Sequence, residues 1–596
     1  MAKASISKSK SASTKSASQK TPSKAAPKAQ SKAPASASVK ASVKASAKTL
    51  AVKKVAPSKK IAPAKAASAK ATKAVPAKKV TAQSSSATSI YPSQTTSPLV
   101  EAYMGKKTQL KVGNKIHRTK ILCTFGPAIA SKEKVKQLLE VGATAFRLNM
   151  SHGSHEVHLQ AMEIIRAVEK ELGVHIPILA DVQGPKLRVG DLTSGAISIV
   201  NGTDIFLADE AVWIKRGKPD DIIPVRYPTF AEDVKPGSIV LFDDGLLKIK
   251  VRDSKDKVVR AIVENGGLLK SRKGINMPDV HVSQPAMTEK DKKDIIFAIQ
   301  NNVDYIALSF VRTAEDVQNS KDYIKKHGGT QWIIAKIEKP QALENIKSII
   351  DVSDGIMVAR GDMGVEIPAA RVPIEQKRII TLCNDQAKPV ITATQMLESM
   401  IQNPRPTRAE ASDVSNAVFD GTDAVMLSAE TSVGAYPVET VSYMRTICEE
   451  AEAELFRTQE ISKKRAEAAL DINLPDALAD AISGAVGTVI REMKIDAIAA
   501  VTTTGKIARY MASRKFVLPI FAFTPSASVS RRVSLLWGVQ AVQVGETEST
   551  DEAIESVKEA LVSRNYLKPG ATVVISIGRP LKARSKTNML CIEKLK

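Results

Sequence analysis

The chain has 596 residues and a formal net charge of +25, and this length predicts about three to five domains. Its four cysteines (Cys123, Cys383, Cys448 and Cys591) are scattered without CxxC spacing, which argues against a disulfide framework or a zinc site and favours a reducing compartment. No apolar run approaches the roughly 20 residues that cross a bilayer, and the amino terminus lacks the apolar core of a secretory signal, so we expect no membrane partner.

The first element in chain order is a lysine-rich tail, residues 1–98. Residues 1–100 contain twenty lysines and neither arginine nor an acidic residue, so the rest of the chain carries only the remaining +5 of charge. The tail consists almost wholly of Ala, Lys, Ser, Pro, Thr and Val, and it has too little apolar surface to offset the entropy cost of ordering it. We predict that it is disordered; its composition resembles that of linker-histone tails.

Three roles remain open for this tail. Its lysines could neutralise nucleic-acid phosphates, which gives weak nonspecific binding that falls steeply with salt and offers no base readout. It could be a solvated extension. It could also be an organelle transit segment, which fits the Ser-rich, acid-free composition but not nearly 100 residues of lysine repeats without arginine. We expect a cytoplasmic location, with an organelle as the alternative.

From residue 115 the pattern changes to alternating strands and helices, and residues 99–184 and 283–465 are predicted to form a catalytic domain. Three strands, KILCTF, AFRLNM and PILADVQ, precede residue 184, with an amphipathic helix between Ser131 and Gly142. The alternation resumes near Met287 with YIALSF, WIIAKIE, GIMVARGD, PVITATQ and DAVMLSAE. Eight strand–helix units predict an α/β fold, a (β/α)8 TIM barrel whose site lies at the carboxyl ends of its strands.

The interruption, residues 185–282, is predicted to be a small β-barrel lid domain inserted after the third barrel strand. Its short strands, AISIV, DIFLA, SIVLFDD, LLKIKV and KVVRAIVEN, are separated by Asn-Gly, Pro-Gly and Asp-Gly turn signals. A last α/β domain, residues 470–596, is predicted from DAIAAVTT, PIFAFTP, VQAVQV and ATVVISIG, which alternate with helices.

Charged and hydroxyl side chains follow most of the predicted barrel strands. They are Arg147, Asp181, Lys336, Glu338, Arg360, Asp362, Thr394, Ser428 and Glu430. A solvated strand end explains any one of them but not the whole set. Glu338 and Asp362 are hard carboxylate ligands that suit Mg²⁺ or Mn²⁺. Arg147 and Lys336 can offset the charge of a transferring phosphoryl group, and the two hydroxyls can hold a water beside a carbon that is protonated.

Five segments resemble the signature segments of the pyruvate kinase family. They are RLNMSHG (147–153), AKIEK (335–339), ARGDMGVE (359–366), TATQMLESM (392–400) and MLSAETSVGAYP (426–437). The resemblance is collinear from about residue 115 to 596 and includes the inserted lid. It implies a glycolytic phosphotransferase that moves the phosphoryl group of phosphoenolpyruvate to ADP, giving pyruvate and ATP, with Mg²⁺ or Mn²⁺ as cofactor and a homotetramer as the assembly. A metal-dependent aldolase is the alternative, but it would lack the lid.

The resemblance also implies a role for each matching residue. The implied catalytic residues are Arg147, Lys336, Thr394 and Ser428; the implied substrate-binding residues are Arg147, Lys336, Gly361, Asp362 and Thr394; the implied metal ligands are Glu338 and Asp362. Asn149, His152, Arg188 and Lys273 would lie toward the nucleotide, with Asp244 facing the site from the lid. His152 could instead cap the following helix, and Asp244 could serve only a hairpin turn.

A loop in the last domain, TTTGK, offers a plausible phosphate cradle at a helix amino terminus. Its residues are Thr502, Thr503, Thr504, Gly505 and Lys506. In this family the equivalent loop binds a sugar-phosphate effector, so the resemblance implies an allosteric site. The alternative is a plain strand-to-helix turn.

The third barrel strand departs from the commonest family pattern, which reads Asp-Thr-Lys-Gly-Pro-Glu and accompanies a potassium requirement. Here the segment reads DVQGPK, so Lys186 replaces the glutamate. Family members with this substitution are the potassium-independent ones. We therefore expect the Lys186 ammonium near Asn149, Ser151 and Asp181, where potassium would sit, and no potassium requirement. The alternative is that Lys186 points into solvent at the lid hinge.

Overall fold

The structure is a computed structural model that describes residues 116–458, 477–580 and 586–596. The predicted disordered tail, residues 1–98, lies outside the described residues, as does the predicted boundary between the last two domains near residue 470. No helix in the described ranges is both long and apolar enough to cross a membrane. All four cysteines are free thiols.

Eight parallel strands close into a barrel in which each strand pairs with its neighbours in the chain and the eighth pairs with the first. From first to eighth they are Lys120–Thr124, Ala145–Asn149, Ile178–Asp181, Tyr305–Leu308, Trp332–Ile337, Gly355–Ala359, Val390–Ala393 and Ala424–Leu427. Nearly all their residues are buried, because helices cover the outer face of a parallel sheet. Three strands precede the insert and five follow it, so the predicted fold class is confirmed.

Helices surround this barrel, and four of the described ones begin at side-chain caps. Ser131 accepts a hydrogen bond from the backbone N–H of Lys134, and Thr288, Thr313 and Thr407 form capping boxes. The α-helices of the barrel domain are Lys132–Glu140, His155–Leu172, Glu289–Gln300, Ala314–Lys326, Pro340–Glu344, Ile346–Val352, Arg360–Glu366, Val372–Asp385, Arg408–Asp420, Ala429–Ser432 and Pro437–Thr458. Short 3₁₀ turns span Pro127–Ile129, Ala369–Arg371 and Glu398–Ile401.

The insert forms a six-stranded mixed sheet and a separate two-stranded ribbon. The sheet contains Asp204–Asp209, Ile222–Val225, Ile239–Phe242, Leu247–Lys255, Val258–Asn265 and Ile275–Asn276, and the ribbon pairs Ala196–Ile199 with Gly267–Lys270. Two short helices, Glu210–Lys215 and Phe230–Asp233, were not predicted. Tyr227, Phe230 and Phe242 fill its core, which is separate from that of the barrel.

The last domain is a five-stranded sheet, with strands Ala497–Val501, Ile520–Thr524, Val539–Gln543, Thr572–Ile577 and Met589–Lys594. Its described helices are Ala477–Glu492, Lys506–Ser513, Ala527–Val533 and Thr550–Ser563. The sequence analysis missed Met589–Lys594, an antiparallel edge strand of half-exposed residues whose apolar pattern is weak.

This domain packs against the amino ends of the barrel strands. Lys515 forms a buried ion pair with Asp423, which precedes the eighth strand, at 2.8 Å. Arg531 pairs at 2.7 Å with Asp304, which precedes the fourth. The carboxyl ends of the strands therefore remain available to the lid and to a substrate.

Candidate active site

Three side chains at the carboxyl ends of strands two, three and five form a buried charge cluster. Arg147 Nε donates to Asp181 Oδ2 at 2.7 Å, and Lys336 Nζ lies 3.3 Å from Asp181 Oδ1. Lys336 also donates to the hydroxyl of Ser309 at 2.7 Å. Both cations are thus held in place by a carboxylate that is 2% exposed.

Opposite charges decide the protonation of this cluster. Burial alone would raise the pKa of Asp181, but Lys336 and Arg147 outweigh it and hold that pKa below its ordinary value. Burial alone would lower the pKa of Lys336, but Asp181 and Glu338 raise it above its ordinary value. The Lys336 ammonium is therefore charged at neutral pH and aimed at the mouth of the barrel.

Glu338 directly follows the fifth strand and is fully buried. Its Oε2 accepts the backbone N–H of Phe310 at 2.7 Å. Its Oε1 lies 2.9 Å from Lys336 Nζ but makes no hydrogen bond of ordinary geometry within the described chain. Burial is the main influence on this carboxyl and, together with Asp362, raises the pKa of Glu338 to about 7, although Lys336 opposes the shift.

Asp362 lies in the first turn of the helix that follows strand six. Its Oδ1 is 3.4 Å from Lys186 Nζ, and both side chains are about 30% exposed. The Lys186 ammonium therefore faces a carboxylate at the mouth of the barrel and does not simply point into solvent. Asn149 and Asp181 lie side by side because strands two and three pair in register. Lys186, however, forms its ion pair with Asp362. The position of Lys186 near Asn149, Ser151 and Asp181 therefore stays a prediction.

Glu338 and Asp362 suit a divalent metal. Glu338 offers a buried oxygen without a hydrogen bond, and Asp362 offers a partly exposed carboxylate in the helix that follows the adjacent strand. The described chain contains no group of three or more His, Cys, Asp or Glu side chains that could hold a metal by themselves. Two carboxylates are the number that a hard cation uses when it also keeps waters and phosphate oxygens.

The turn after strand six is fastened to the turn after strand seven. The N–H of Gly361 donates to Thr394 Oγ1 at 2.7 Å, and Arg360 donates to the Thr394 carbonyl at 2.7 Å and pairs with Asp413. Thr394 and Gln395 have φ angles of 68° and 52°. Such left-handed backbone in non-glycine residues costs about 1–3 kcal/mol each and persists where the surrounding structure imposes it, as in active sites.

Ser428 and Glu430 follow the eighth strand and have different tasks. Glu430 is buried, and its carboxylate accepts the N–H groups of Ser428 at 2.6 Å and Leu397 at 3.3 Å. It therefore joins the turns after strands seven and eight. The Ser428 hydroxyl makes no hydrogen bond within the described residues and remains available to a water or a substrate.

The loop after strand two carries two residues predicted to lie toward the nucleotide. Asn149 Oδ1 accepts the N–H of Ser151 at 3.2 Å. The exposed His152 does not cap the next helix, whose N-cap is Ser154. Lys290 donates to the Met150 carbonyl at 2.7 Å and so holds the loop against the barrel.

The lid residues are fixed by contacts within the lid. Lys273 pairs with Asp243 at 2.7 Å, and Arg188 donates to the Arg272 carbonyl at 3.2 Å. Asp243 and Asp244 have positive φ angles, as a tight hairpin turn requires. The lid also touches the barrel directly, because Asn276 donates to Glu366 at 2.7 Å.

The threonine hydroxyls of the TTTGK loop accept hydrogen bonds from the loop's own backbone. Thr502 Oγ1 accepts the N–H of Gly505 at 2.9 Å, and Thr504 Oγ1 accepts the N–H of Lys506 at 3.4 Å. A phosphate would have to replace these two contacts. Thr503 and Thr504 are exposed, and the helix Lys506–Ser513 begins at this loop.

Several residues that hold the site together were not predicted, because they act through a backbone group or through a contact that only the fold creates. Ser309 joins Lys336 to strand three, the Phe310 amide binds Glu338, and Asp413 holds Arg360. Of these, only Ser309 could have been found from the sequence, because it is a hydroxyl residue directly after the fourth strand.

Comparison with known proteins gives consistent matches along the described chain. Residues 116–441 match the family model "Pyruvate kinase, barrel domain", and residues 480–593 match "Pyruvate kinase, alpha/beta domain". The chain is similar to the pyruvate kinase of Geobacillus stearothermophilus, with 43% identity over 79% of each chain. It is 41% identical to the pyruvate kinase of Clostridium perfringens over 80% of this chain and 100% of the relative. It is also 41% identical to pyruvate kinase 2 of Synechocystis over 80% of this chain and 79% of the relative.

Proposed function

The chain belongs to the pyruvate kinase family, and we propose that the residues around Lys336 and Asp362 carry out its reaction. It is a phosphotransferase that moves the phosphoryl group of phosphoenolpyruvate to ADP, giving pyruvate and ATP in glycolysis. The observation that carries the assignment of residues is the buried cluster in which Arg147 and Lys336 both pair with Asp181 and Lys336 also pairs with Glu338.

Lys336 and Arg147 place two fixed positive charges where the phosphoryl group transfers. Neither needs to reorient, because Asp181 already holds both, and such preorganised charge stabilises the transition state more than the ground state. Arg147 binds the phosphate of phosphoenolpyruvate, and Lys336 stabilises the phosphoryl group while it transfers to ADP. Asn149, His152, Arg188 and Lys273 form the nucleotide side of the site.

Glu338 and Asp362 hold the divalent metal that the family uses, Mg²⁺ or Mn²⁺. When bound, the metal neutralises phosphate charge. The Gly361–Asp362 turn binds the substrate carboxylate. Thr394 and Ser428 hold the water that protonates the methylene carbon of enolpyruvate, since both hydroxyls follow neighbouring strands at the same end of the barrel.

Replacing Glu338 with Gln tests the metal assignment. We expect Mn²⁺ affinity, followed by electron paramagnetic resonance of the free ion, to fall roughly 10–100-fold, because a neutral amide replaces a charged ligand. Glu398→Gln, which neutralises an exposed carboxylate after strand seven, serves as the control and should bind Mn²⁺ like the wild type. Unchanged Mn²⁺ affinity in Glu338→Gln would remove Glu338 from the metal site.

We also propose that the enzyme needs no potassium, because Lys186 supplies a positive charge close to the phosphoryl group. The position of Lys186 at the lid hinge supports this. Gly184 has a φ of 67°, and a Cβ added there would lie only 2.9–3.0 Å from Ser309, so glycine lets the chain turn tightly toward the site. The ammonium would reach toward Asn149, Ser151 and Asp181 during turnover.

Three further properties complete the proposal. A homotetramer is supported by exposed Ile374 and Phe419 on neighbouring helices and by the open edge strand that carries Ile592. A sugar phosphate is the proposed effector of the TTTGK loop, residues 502–506. The proposed location is cytoplasmic; the organelle alternative holds if residues 1–98 are a transit segment.

Removal of residues 1–98 should leave the turnover and thermal stability of the enzyme nearly unchanged, because a segment of this composition contributes little packing. Any binding of DNA or RNA at low salt should disappear with it. A coupled lactate dehydrogenase assay, a thermal melt and a gel-shift titration compare the full chain with one that starts at residue 99. A large loss of turnover would show that the tail belongs to the catalytic core.

A further inference from the structure

The ion pair between Lys186 and Asp362 places a lysine on a proposed metal ligand. The distance from Nζ to Oδ1 is 3.4 Å. A divalent cation and an ammonium on the same carboxylate repel each other at this range, so the metal and Lys186 compete for Asp362.

Of the two lysines at the metal ligands, Lys186 is the one that can move away. Lys336 faces Glu338, but it is buried and is also held by Asp181 and Ser309. The Lys186 side chain is 29% exposed, and within the described chain its one ion pair is with Asp362. Its long flexible stem at the lid hinge lets the ammonium swing without moving the backbone.

The charges at the site show when this movement is favourable. Three cationic side chains, Arg147, Lys336 and Lys186, face the three carboxyl groups of Asp181, Glu338 and Asp362, so these six groups carry no net negative charge. A divalent cation entering a neutral site must displace a positive charge and gains little from the site as a whole. Phosphoenolpyruvate brings a phosphate and a carboxylate, and with it the site becomes strongly negative and attracts both the metal and the ammonium.

We propose that Lys186 is a positioning residue that covers Asp362 in the metal-free enzyme and makes tight metal binding depend on phosphoenolpyruvate. This inference rests on the proposed metal ligands. Displaced from Asp362, the ammonium becomes free to move toward Asn149, Ser151 and Asp181, where the potassium-independent reaction needs it.

The test measures equilibrium binding of Mn²⁺ to the full-length enzyme by electron paramagnetic resonance, without ADP, so that no turnover occurs. Lys186→Met should bind Mn²⁺ alone about tenfold more tightly than the wild type, because the competing charge is gone. With saturating phosphoenolpyruvate the two should agree within about threefold, since Lys186 has already left Asp362. Lys186→Gln repeats the measurement with a polar side chain, and thermal melts confirm that both variants fold.

Two controls separate a local from a general effect. Lys186→Arg keeps the charge and should bind Mn²⁺ like the wild type. Lys257→Met removes a lid lysine that pairs with Glu232 and should also leave Mn²⁺ affinity unchanged. The proposal is overturned if neither Lys186→Met nor Lys186→Gln gains Mn²⁺ affinity, or if either control gains as much as they do.

Failure of this proposal can be told apart from failure of the metal-ligand and potassium assignments. If Glu338→Gln binds Mn²⁺ normally, the metal ligands are wrong, whatever Lys186 does. If Lys186→Met gains affinity but potassium activates the wild-type enzyme, competition for Asp362 stands and potassium independence fails.

Discussion

Lys336→Met should abolish phosphoryl transfer while leaving the fold and the binding of phosphoenolpyruvate largely intact. The variant loses the ammonium that Asp181, Glu338 and Ser309 hold at the transferring group. Loss of one preorganised charge costs about 3–4 kcal/mol of transition-state stabilisation, or roughly 10²–10³ in kcat. The coupled lactate dehydrogenase assay measures this loss.

Two further measurements show whether the loss is specific. Exchange of the methyl protons of pyruvate should suffer much less, because Thr394 and Ser428 are untouched. Lys388→Met removes a partly buried barrel lysine, which precedes strand seven at the opposite end of the barrel and donates to the Ser353 carbonyl; its turnover should stay near that of the wild type. A Lys336→Met enzyme that keeps more than about a tenth of wild-type turnover would show that Lys336 is not the transferring cation.

Lys186→Glu should slow the enzyme about a hundredfold in potassium-free buffer and make it partly rescuable by potassium. One unit charge at about 5 Å and an effective dielectric of about 20 is worth about 3 kcal/mol, which is roughly a hundredfold in rate. The substituted glutamate restores the acidic group of the potassium-dependent pattern, so the ion can bind and return part of the lost charge.

The rescue identifies the cause of the loss. Turnover is measured in tetramethylammonium buffer with and without potassium, and Lys186→Gln, which loses the charge without adding an acidic ligand, should respond more weakly to the ion. If Lys186→Glu turned over at the wild-type rate without potassium, the ammonium would have no part in the reaction.

The barrel could be predicted from the sequence because parallel strands buried on both faces are continuous apolar runs, as in KILCT and GIMVA. Helix ends were equally clear, since Ser131 caps the helix Lys132–Glu140 and Gly142, with a φ of 119°, follows its end. The edge strand Met589–Lys594 was missed because half-exposed residues weaken the alternation that indicates a strand.

The charged residues of the site could be predicted because each lies near or just after the carboxyl end of a barrel strand, and barrel closure brings those ends together. The partners of these residues could not be predicted in the same way. The Phe310 amide that binds Glu338 is a backbone group with no residue signature. The ion pair between Lys186 and Asp362 joins residues 176 positions apart, and it depends on how the lid hinge meets strand six. Register and hinge geometry are properties of the folded chain and not of a local pattern.

The most direct test of the account is the potassium response of the wild-type enzyme. Pyruvate formation from phosphoenolpyruvate and ADP is followed at saturating Mg²⁺ in tetramethylammonium buffer, first without potassium and then with it. We expect near-full turnover without potassium if Lys186 supplies the charge that the ion would otherwise bring, and no turnover without ADP or without a divalent metal. Activation by potassium of about tenfold or more, equivalent to about 1.4 kcal/mol, would contradict it.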